Sequence, residues 1–383
     1  MTLHLNRLLV QAESESGRPP RLSSAEEEIL HRYLEALNSE AHLNTAGEGF
    51  HEQRITQLLV NRCAIDAWLA AHPEILEEPI SPPVVVVGLP RTGTTLLHRT
   101  LATDDKVLAP LWYEVRQPSP LAANFAEHDE RIAIARQEVA DILAASPELA
   151  AIHPMDATAP DEEIMLLEHA LMSTVPECYA QIPDFGDWLY RQDQSEGYAY
   201  LRTLLQFLQW QKRARGESGK RWLLKTPHHL HYPEALAKTF PGARIIQTHR
   251  HPVEVIPSYG SMMCALASPF TDHLDPPAMT AHWADKWRRG LEATMSFREQ
   301  PTHGVQYLDL QFTDTLQKLD TTIAAVYRFT GDTLSPAARS EMARWRELNT
   351  RESRPEHHYA LSDYGLSEDG LKAQFSAYIA RHL

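Results

Sequence analysis

The residues from Gly88 to Thr95 have the types and the spacing of an anion-binding loop. Four residues separate Gly88 from Gly93, as in the phosphate-binding motif G-x-x-x-x-G-K-[ST], but Thr94 occupies the position of the motif's lysine. Arg91 lies inside the loop instead, and its planar guanidinium can bind two anionic oxygens at once. Thr94 and Thr95 then begin a helix whose N-terminal N–H groups attract negative charge. The loop therefore predicts a site for a phosphate or sulfate group rather than for a magnesium–nucleoside triphosphate.

Two more basic residues follow short apolar runs later in the chain. Lys225 follows Trp222–Leu224, and Arg250 follows the run RIIQTH at residues 244–249. The Arg250 guanidinium can make charge-assisted hydrogen bonds to a phosphate, and Ser258 can add a hydroxyl donor from eight residues further on. This arginine–serine pair predicts a second anion-binding position.

A strand is expected before each of these positions, and a helix after it. Val84–Val87 are four β-branched residues in a row, which is typical of a strand covered on both faces. The order strand, loop, helix recurs near residues 222 and 244, so we expect an α/β fold with a parallel sheet and crossover helices. Because ligands bind beyond the carboxyl ends of such strands, all three positions are expected to meet in one site.

The remaining segments are expected to support this sheet. Residues 1–80 have helical periodicity and predict an N-terminal helical accessory segment, 81–345 the α/β core, and 346–383 a C-terminal tail. The acids Asp161–Glu163 are expected to open a helix, where negative charge complements the helix dipole, and this role suffices for at least two of the three.

The composition excludes several classes of partner. A net charge of −15 argues against binding to a nucleic-acid backbone. The three scattered cysteines fit a reducing cytosol. The N-terminus lacks the apolar run of a signal peptide, and no stretch approaches the ~20 apolar residues of a membrane helix. A cytoplasmic protein without a membrane span is the expectation.

Several motifs resemble those of one enzyme family. PRTGTT at residues 90–95 resembles the 5′-phosphosulfate loop of sulfotransferases that use 3′-phosphoadenosine 5′-phosphosulfate (PAPS), and RHPVEVIPS at 250–258 is similar to their 3′-phosphate motif. LLKTPHHL is similar to a lysine-containing strand end. VQYLDL resembles the family's YEDL pattern with Leu308 in place of its first acid, and SRPEHHYALSDYGLSED resembles a C-terminal segment of bacterial members. The resemblance covers roughly residues 82–370 and implies a P-loop-type α/β sheet with helices on both sides.

The resemblance also implies a reaction. It implies transfer of SO3 from PAPS to a hydroxyl or amine of a small-molecule or glycan acceptor, with adenosine 3′,5′-bisphosphate as the product. Lys225 would offset the charge that develops on the leaving phosphate. No metal ion is expected, the tail would close on the nucleotide, and a homodimer is allowed. The residues that it assigns to the cofactor are Arg91, Thr92, Gly93, Thr94, Thr95, Arg250, Ser258, Tyr307, Arg354 and Tyr359.

Three places can supply the general base. Glu114 is the first choice, because several relatives place a catalytic glutamate downstream of the loop helix. His228 follows Lys225 by three residues, with Pro227 interrupting the familiar Lys-Thr-His order, and is the second choice. Glu162 or Glu163 is the third choice.

Other classes of function remain open. A P-loop nucleotide kinase, or a nucleotide-binding protein without sulfuryl transfer, is an alternative, although it would favour a lysine at position 94 and a magnesium-binding aspartate at a strand end. A metal enzyme could use the histidines between residues 228 and 251, but they lack an HExxH spacing. A binding module without catalysis is a further alternative.

Overall fold

Five parallel strands form one sheet in the computed structural model, which describes residues 2–145, 155–300, 302, 304–349 and 360–383. The strand order across the sheet is β2-β3-β1-β4-β5, so the first strand lies at the centre. The strands are β1 (Val84–Gly88), β2 (Val107–Leu108), β3 (Arg221–Lys225), β4 (Arg244–His249) and β5 (Gln306–Gln311). The α/β fold with a P-loop-type parallel sheet is confirmed.

The valines of β1 are buried on both faces of the sheet. Val85 and Val87 join the larger hydrophobic core, whereas Val84 and Val86 join a second cluster on the opposite face. Alternating side chains of one strand thus face helical layers on both sides, which is why the strand consists of apolar β-branched residues without polar alternation. Gly88 pairs in register with Thr248, so β1 and β4 end at the same edge of the sheet.

Three helices precede the sheet: α1 (Leu5–Ser16), α2 (Ser24–Ser39) and α3 (Thr45–Ala71). Ser23 caps α2, because its hydroxyl accepts the Glu26 N–H at 3.3 Å and its own N–H donates to the Glu26 carboxylate at 2.8 Å. The apolar faces of these helices form a hydrophobic cluster together with residues between Leu171 and Leu189. The division of the chain at residues 80 and 345 stays a prediction.

The helices after β1 cover the sheet and build the space beside its carboxyl edge. In the described part of the chain they are α4 (Thr94–Leu101), α5 (Trp112–Arg116), α6 (Arg131–Ala145), α7 (Ile164–His169), α8 (Pro176–Tyr179), α9 (Pro183–Tyr190), α10 (Ser195–Ala214), α11 (Pro233–Thr239), α12 (Pro252–Ala267), α13 (Pro276–Glu299), α14 (Phe312–Gln317), α15 (Leu319–Thr330), α16 (Pro336–Leu348), α17 (Glu368–Gln374) and α18 (Ser376–His382). None of the described helices combines the length and the apolar character that crossing a membrane would need.

Candidate functional site

Two glycines permit the unusual backbone conformation of the loop between β1 and α4. Gly88 has φ = 149°, and a Cβ there would lie 2.3 Å from the Thr248 hydroxyl oxygen. Gly93, with φ = 81°, precedes α4 as its N-cap and leaves the first turn without a side-chain cap. The N–H groups of that turn therefore suit an anion.

Arg91 and Thr92 have different parts in the loop. Arg91 has φ = 66°, a left-handed conformation that is rare for a residue with a side chain. The buried Thr92 hydroxyl lies 2.6 Å from the Leu89 carbonyl oxygen and 2.7 Å from the Thr248 hydroxyl. The Thr92 side chain thus holds the loop against β4, and only its backbone is left to contact a ligand.

The arginine–serine pair meets this loop as expected. Arg91 Nε donates to Ser258 Oγ at 3.3 Å, and Arg250 Nη1 donates to the Arg91 carbonyl oxygen at 2.9 Å. The Arg250 guanidinium lies 4.2 Å from the ring centre of Phe312, a contact that the sequence did not suggest. Arg250 also pairs with Glu254 at 2.8 Å. Two stretches about 160 residues apart in the chain thus form one positively charged edge.

Lys225, at the end of β3, also contacts the start of α4. Its Nζ donates to Thr95 Oγ1 at 3.4 Å and forms a closer ion pair with Glu162. The Lys225 side chain is 2% exposed and that of Glu162 is 20% exposed. The ammonium group therefore links the start of α4 to a partly accessible carboxylate.

Three buried side chains, those of Glu163, His229 and Tyr198, form a hydrogen-bonded chain that begins at the Lys225 backbone. The sequence analysis did not predict this chain. The Lys225 backbone N–H donates to Glu163 Oε2 at 2.7 Å, and His229 Nε2 lies 2.8 Å from Glu163 Oε1. The tautomer with its proton on Nε2 suits both contacts, because its Nε2–H can donate to the carboxylate and its Nδ1 can accept from the Tyr198 hydroxyl, which lies 2.7 Å away. The side chains of Glu163 and His229 are fully buried.

The acids at residues 161–163 thus do more than the helix-dipole role expected for at least two of them. Helix α7 begins only at Ile164, and Glu162 and Glu163 bind the side chain and the backbone of Lys225. The signal available in the sequence was the adjacency of two acids, which by itself named no partner.

Glu114, the first choice for the base from the sequence, lies in a buried cluster of ion pairs. Its fully buried carboxylate lies 3.0 Å from Lys212 Nζ and 2.6 Å from Arg215 Nη2, and it accepts the Leu111 N–H at 3.0 Å. Burial alone raises the pKa of Glu114, but the Lys212 and Arg215 cations outweigh it and hold that pKa below its usual value. The carboxylate is therefore committed to a buried ion-pair cluster.

His228 is buried beside Thr174, whose hydroxyl lies 3.5 Å from its Nδ1. Its Nε2 has no hydrogen-bond partner within the described residues. Burial, followed by the neighbouring His231 and His229, holds the pKa of His228 well below its usual value. The imidazole is therefore neutral at pH 7.

A cavity of about 520 Å³ lies beside the loop and Lys225. Its wall is mostly apolar and includes Phe270, Met263 and Trp112, whereas Pro90, Glu162 and His228 face it from the side of the sheet. Among the described residues that line it, α5 contributes Trp112, Val115 and Arg116 but not Glu114. Helix α12 contributes Tyr259, Met262, Met263 and Leu266, and this helix also carries Ser258.

The structure does not bring Tyr307 to the carboxyl edge of the sheet. Tyr307 pairs with Ile245, three residues before the Leu310–Thr248 pair that is level with Gly88. At the rise of a β-strand this places Tyr307 about 10 Å short of the edge. Its ring packs 4.4 Å from the Arg298 guanidinium. A contact with the adenine is therefore not supported, and Arg354 and Tyr359 lie outside the described residues.

The sequence model of the sulfotransferase family matches residues 82–336 of this chain. The chain belongs to the sulfotransferase family. The predicted family is thereby confirmed. The matched range begins just before β1 and ends at the start of α16, so it contains the loop, Lys225, Arg250 and Ser258.

Individual relatives agree with this sulfotransferase assignment. The sequence is 30% identical over 187 residues to the omega-hydroxy-beta-dihydromenaquinone-9 sulfotransferase Stf3 of Mycobacterium bovis and of Mycobacterium tuberculosis. The match covers 46% of this chain and 44% of the relative, so the chain spans less than half the length of these curated relatives.

Two crystal structures show the same overall arrangement. The sulfotransferase STF1 from Mycobacterium tuberculosis is 28% identical, with a TM-score of 0.85 over 98% of this chain and 99% of that one. STF9 from Mycobacterium avium has a TM-score of 0.86 over 99% of this chain and 96% of that one, and at 23% identity it supports the fold alone.

Proposed function

We propose that this sulfotransferase-family protein moves the sulfuryl group of PAPS to the hydroxyl of an apolar small molecule. The observation that carries the proposal is the meeting of the loop at 88–95, Lys225 and the Arg250–Ser258 pair at one edge of the sheet, beside a mostly apolar cavity. Two separate anion-binding positions suit a nucleotide with a 5′-phosphosulfate and a 3′-phosphate.

Each anionic end of the donor has a matching set of groups. The first turn of α4 and Arg91 suit the 5′-phosphosulfate, and Arg250 and Ser258 suit the 3′-phosphate, with Phe312 backing the guanidinium. Lys225 is within reach of Thr95 and can replace its Glu162 contact by one to the bridging oxygen, where negative charge develops as the S–O bond breaks. These roles require no metal ion.

The acceptor is proposed to be an alcohol because of the cavity and one relative. The cavity wall is mainly apolar, although Arg54, Arg116, Asp141, Asp161 and Glu162 also line it. A mainly apolar wall favours a lipophilic molecule over a glycan. The Stf3 relatives are named for a hydroxylated dihydromenaquinone, which is a lipophilic alcohol. Location in the cytoplasm and assembly as a homodimer stay predictions within this proposal.

For the general base we propose Glu162 ahead of the two residues preferred from the sequence. Glu162 pairs with Lys225, lines the cavity, and has a side chain that is 20% exposed. A hydroxyl in line with a sulfuryl group at Lys225 lies within reach of this carboxylate, which takes the proton as the new O–S bond forms. The Glu114 carboxylate is enclosed by Lys212 and Arg215, so its predicted role as base loses support.

His228 remains the second candidate for the base. It lines the same cavity with an unpartnered Nε2 among the described residues, but its depressed pKa makes it a weak base. A comparison of Glu162→Gln with His228→Asn distinguishes the two, because the base variant should lose roughly 10²-fold or more in kcat while adenosine 3′,5′-bisphosphate affinity is kept.

The test of the function begins with ligand binding. Calorimetry should show that adenosine 3′,5′-bisphosphate binds the purified protein more tightly than ATP with magnesium. Sulfur-labelled PAPS should then label a medium-chain primary alcohol such as octanol. Lys225→Met should abolish labelling in a protein that still folds, which a cooperative thermal unfolding transition would show. Tighter binding of magnesium–ATP, or phosphate transfer from it, would instead support the nucleotide kinase.

A further inference from the structure

A second cavity of about 400 Å³ adjoins the first one between α3, α5, α6 and α7. The two cavities share five wall residues: Phe50, Arg54, Val115, Arg116 and Met165. Because the same side chains line both spaces, the two cavities adjoin each other at these five residues. Pro90, Glu162 and His228 line only the first cavity. The second cavity therefore lies on the side of the first one that faces away from these residues.

The second cavity has a more polar wall than the first. Gln53, Gln57, Asn61 and Gln117 line it. Gln57 Nε2 donates to Asn61 Oδ1 at 3.0 Å, and Asn61 Nδ2 donates to the Arg116 carbonyl oxygen at 3.0 Å. Amides donate and accept hydrogen bonds without carrying charge. The wall therefore suits an uncharged polar group such as an ether, a hydroxyl or an amide.

The two arginines at the junction are already neutralised. Arg54 Nε donates to Glu168 Oε1 at 2.7 Å, and Arg116 Nε donates to Glu138 Oε1 at 3.1 Å. The Arg54–Glu168 pair is largely buried, with side-chain exposures of 10% and 4%. An anionic group would have to displace a carboxylate from one of these guanidinium groups and leave it unpaired, which is costly in a partly buried site.

We propose that the acceptor is a long amphiphilic alcohol that occupies both cavities. Its hydroxyl lies at Glu162, its apolar body fills the first cavity, and an uncharged polar end reaches the amide-lined second cavity. This inference rests on the proposed function, and it adds the length of the acceptor and the chemistry of its far end.

Three acceptors of defined chemistry test the proposal with labelled PAPS. Octanol is short enough for the first cavity alone. The dimethylamide of ω-hydroxyhexadecanoic acid adds length and an uncharged polar end, and the free acid has the same length with a carboxylate. We expect the dimethylamide to have the highest kcat/KM of the three.

Variants that fill the second cavity should affect only the long acceptors. Gln57→Trp places an indole in it from the exposed surface of α3, and Ile134→Trp does so from the exposed surface of α6. Excluding about two methylene groups lowers kcat/KM for the dimethylamide roughly tenfold, and octanol should be unaffected. Ala70→Trp is the matched control, because Ala70 is exposed on α3 and lines neither cavity.

The outcomes separate the two proposals. Failure of the wild-type protein to label any of the three alcohols, with nucleotide binding intact, would refute the proposed acceptor class and the inference with it. Labelling of octanol together with equal losses for short and long acceptors in both tryptophan variants would overturn the second cavity alone. A preference for the free acid over the dimethylamide would overturn the uncharged far end.

Discussion

Replacement of Glu114 by glutamine separates a structural role of this carboxylate from a catalytic one. Glu114 is fully buried and contacts two cations, Lys212 at 3.0 Å and Arg215 at 2.6 Å. The amide of Glu114→Gln keeps the shape of the side chain but removes its charge. We therefore expect a less stable protein whose folded fraction retains its kcat.

The size of the loss follows from what the two cations retain. Breaking a buried ion pair costs roughly 3–5 kcal/mol when a charge is left alone. Arg215 keeps Glu217 at 3.1 Å and Asp129 at 3.5 Å, and Lys212 keeps Glu217 at 3.5 Å. These remaining partners place the expected loss at the lower end, about 3 kcal/mol, which is on the order of a 10²-fold change in the unfolding equilibrium.

The loss should also depend on pH. The pKa of Glu114 in the folded protein is lower than its ordinary value of 4.5, so the ionised carboxylate contributes its stability fully above that pH. This contribution disappears as the pH falls through the folded-state pKa. The difference in stability between wild type and Glu114→Gln should therefore be largest near pH 7 and become smaller below about pH 4.5.

Urea unfolding at several pH values measures the loss of stability. Initial rates of sulfuryl transfer, taken at a temperature where both proteins are folded, measure kcat. Glu217→Gln is a suitable control, since Glu217 contacts the same cations from a side chain that is 40% exposed, and it should cost less. A kcat lowered 10²-fold or more with unchanged urea midpoint would refute the structural role and restore Glu114 as the base.

Two further variants test the anion site and its support. Arg250→Ala should weaken binding of adenosine 3′,5′-bisphosphate roughly 10–100-fold, because charge-assisted hydrogen bonds to the 3′-phosphate are lost. Calorimetry with AMP, which lacks that phosphate, should show little change in affinity. Equal losses for both nucleotides would contradict the assignment. Tyr198→Phe leaves His229 Nδ1 without its donor, so it should cost about 1–3 kcal/mol in urea unfolding and lower kcat more than nucleotide affinity, through Glu163 and Lys225. Tyr200→Phe is its matched control on α10, since the buried Tyr200 hydroxyl has no hydrogen-bond partner within the described residues, and a similar loss in both variants would argue against the chain of contacts.

The parts of the site that were predictable depend on strand ends. The valine run, the glycine spacing and the arginine–serine pair each follow from local sequence, and parallel strands bring their carboxyl ends to one edge. Their meeting at Arg91, Arg250 and Ser258 could therefore be inferred before the geometry was known.

The contacts made by helices could not be inferred in the same way. Lys212 and Arg215 reach Glu114 from about 100 residues away because α10 ends beside α5, and nothing in either segment specifies that packing. The misplaced Tyr307 has a different cause. Its segment was assigned by resemblance, but the β4–β5 register, which the sequence does not encode locally, places it short of the edge.

Helix α12 contributes to both halves of the proposed site. Ser258 lies on the proposed nucleotide side, and Tyr259, Met262, Met263 and Leu266 line the proposed acceptor cavity. Engineering of acceptor range is therefore unequal across the cavity wall. Because these side chains share a helix with Ser258, we expect larger or smaller residues there to shift Ser258 and to change donor affinity together with selectivity. Phe50 lies on α3 instead, so we expect changes there to leave Ser258 in place, and libraries for new alcohols are best built on that wall.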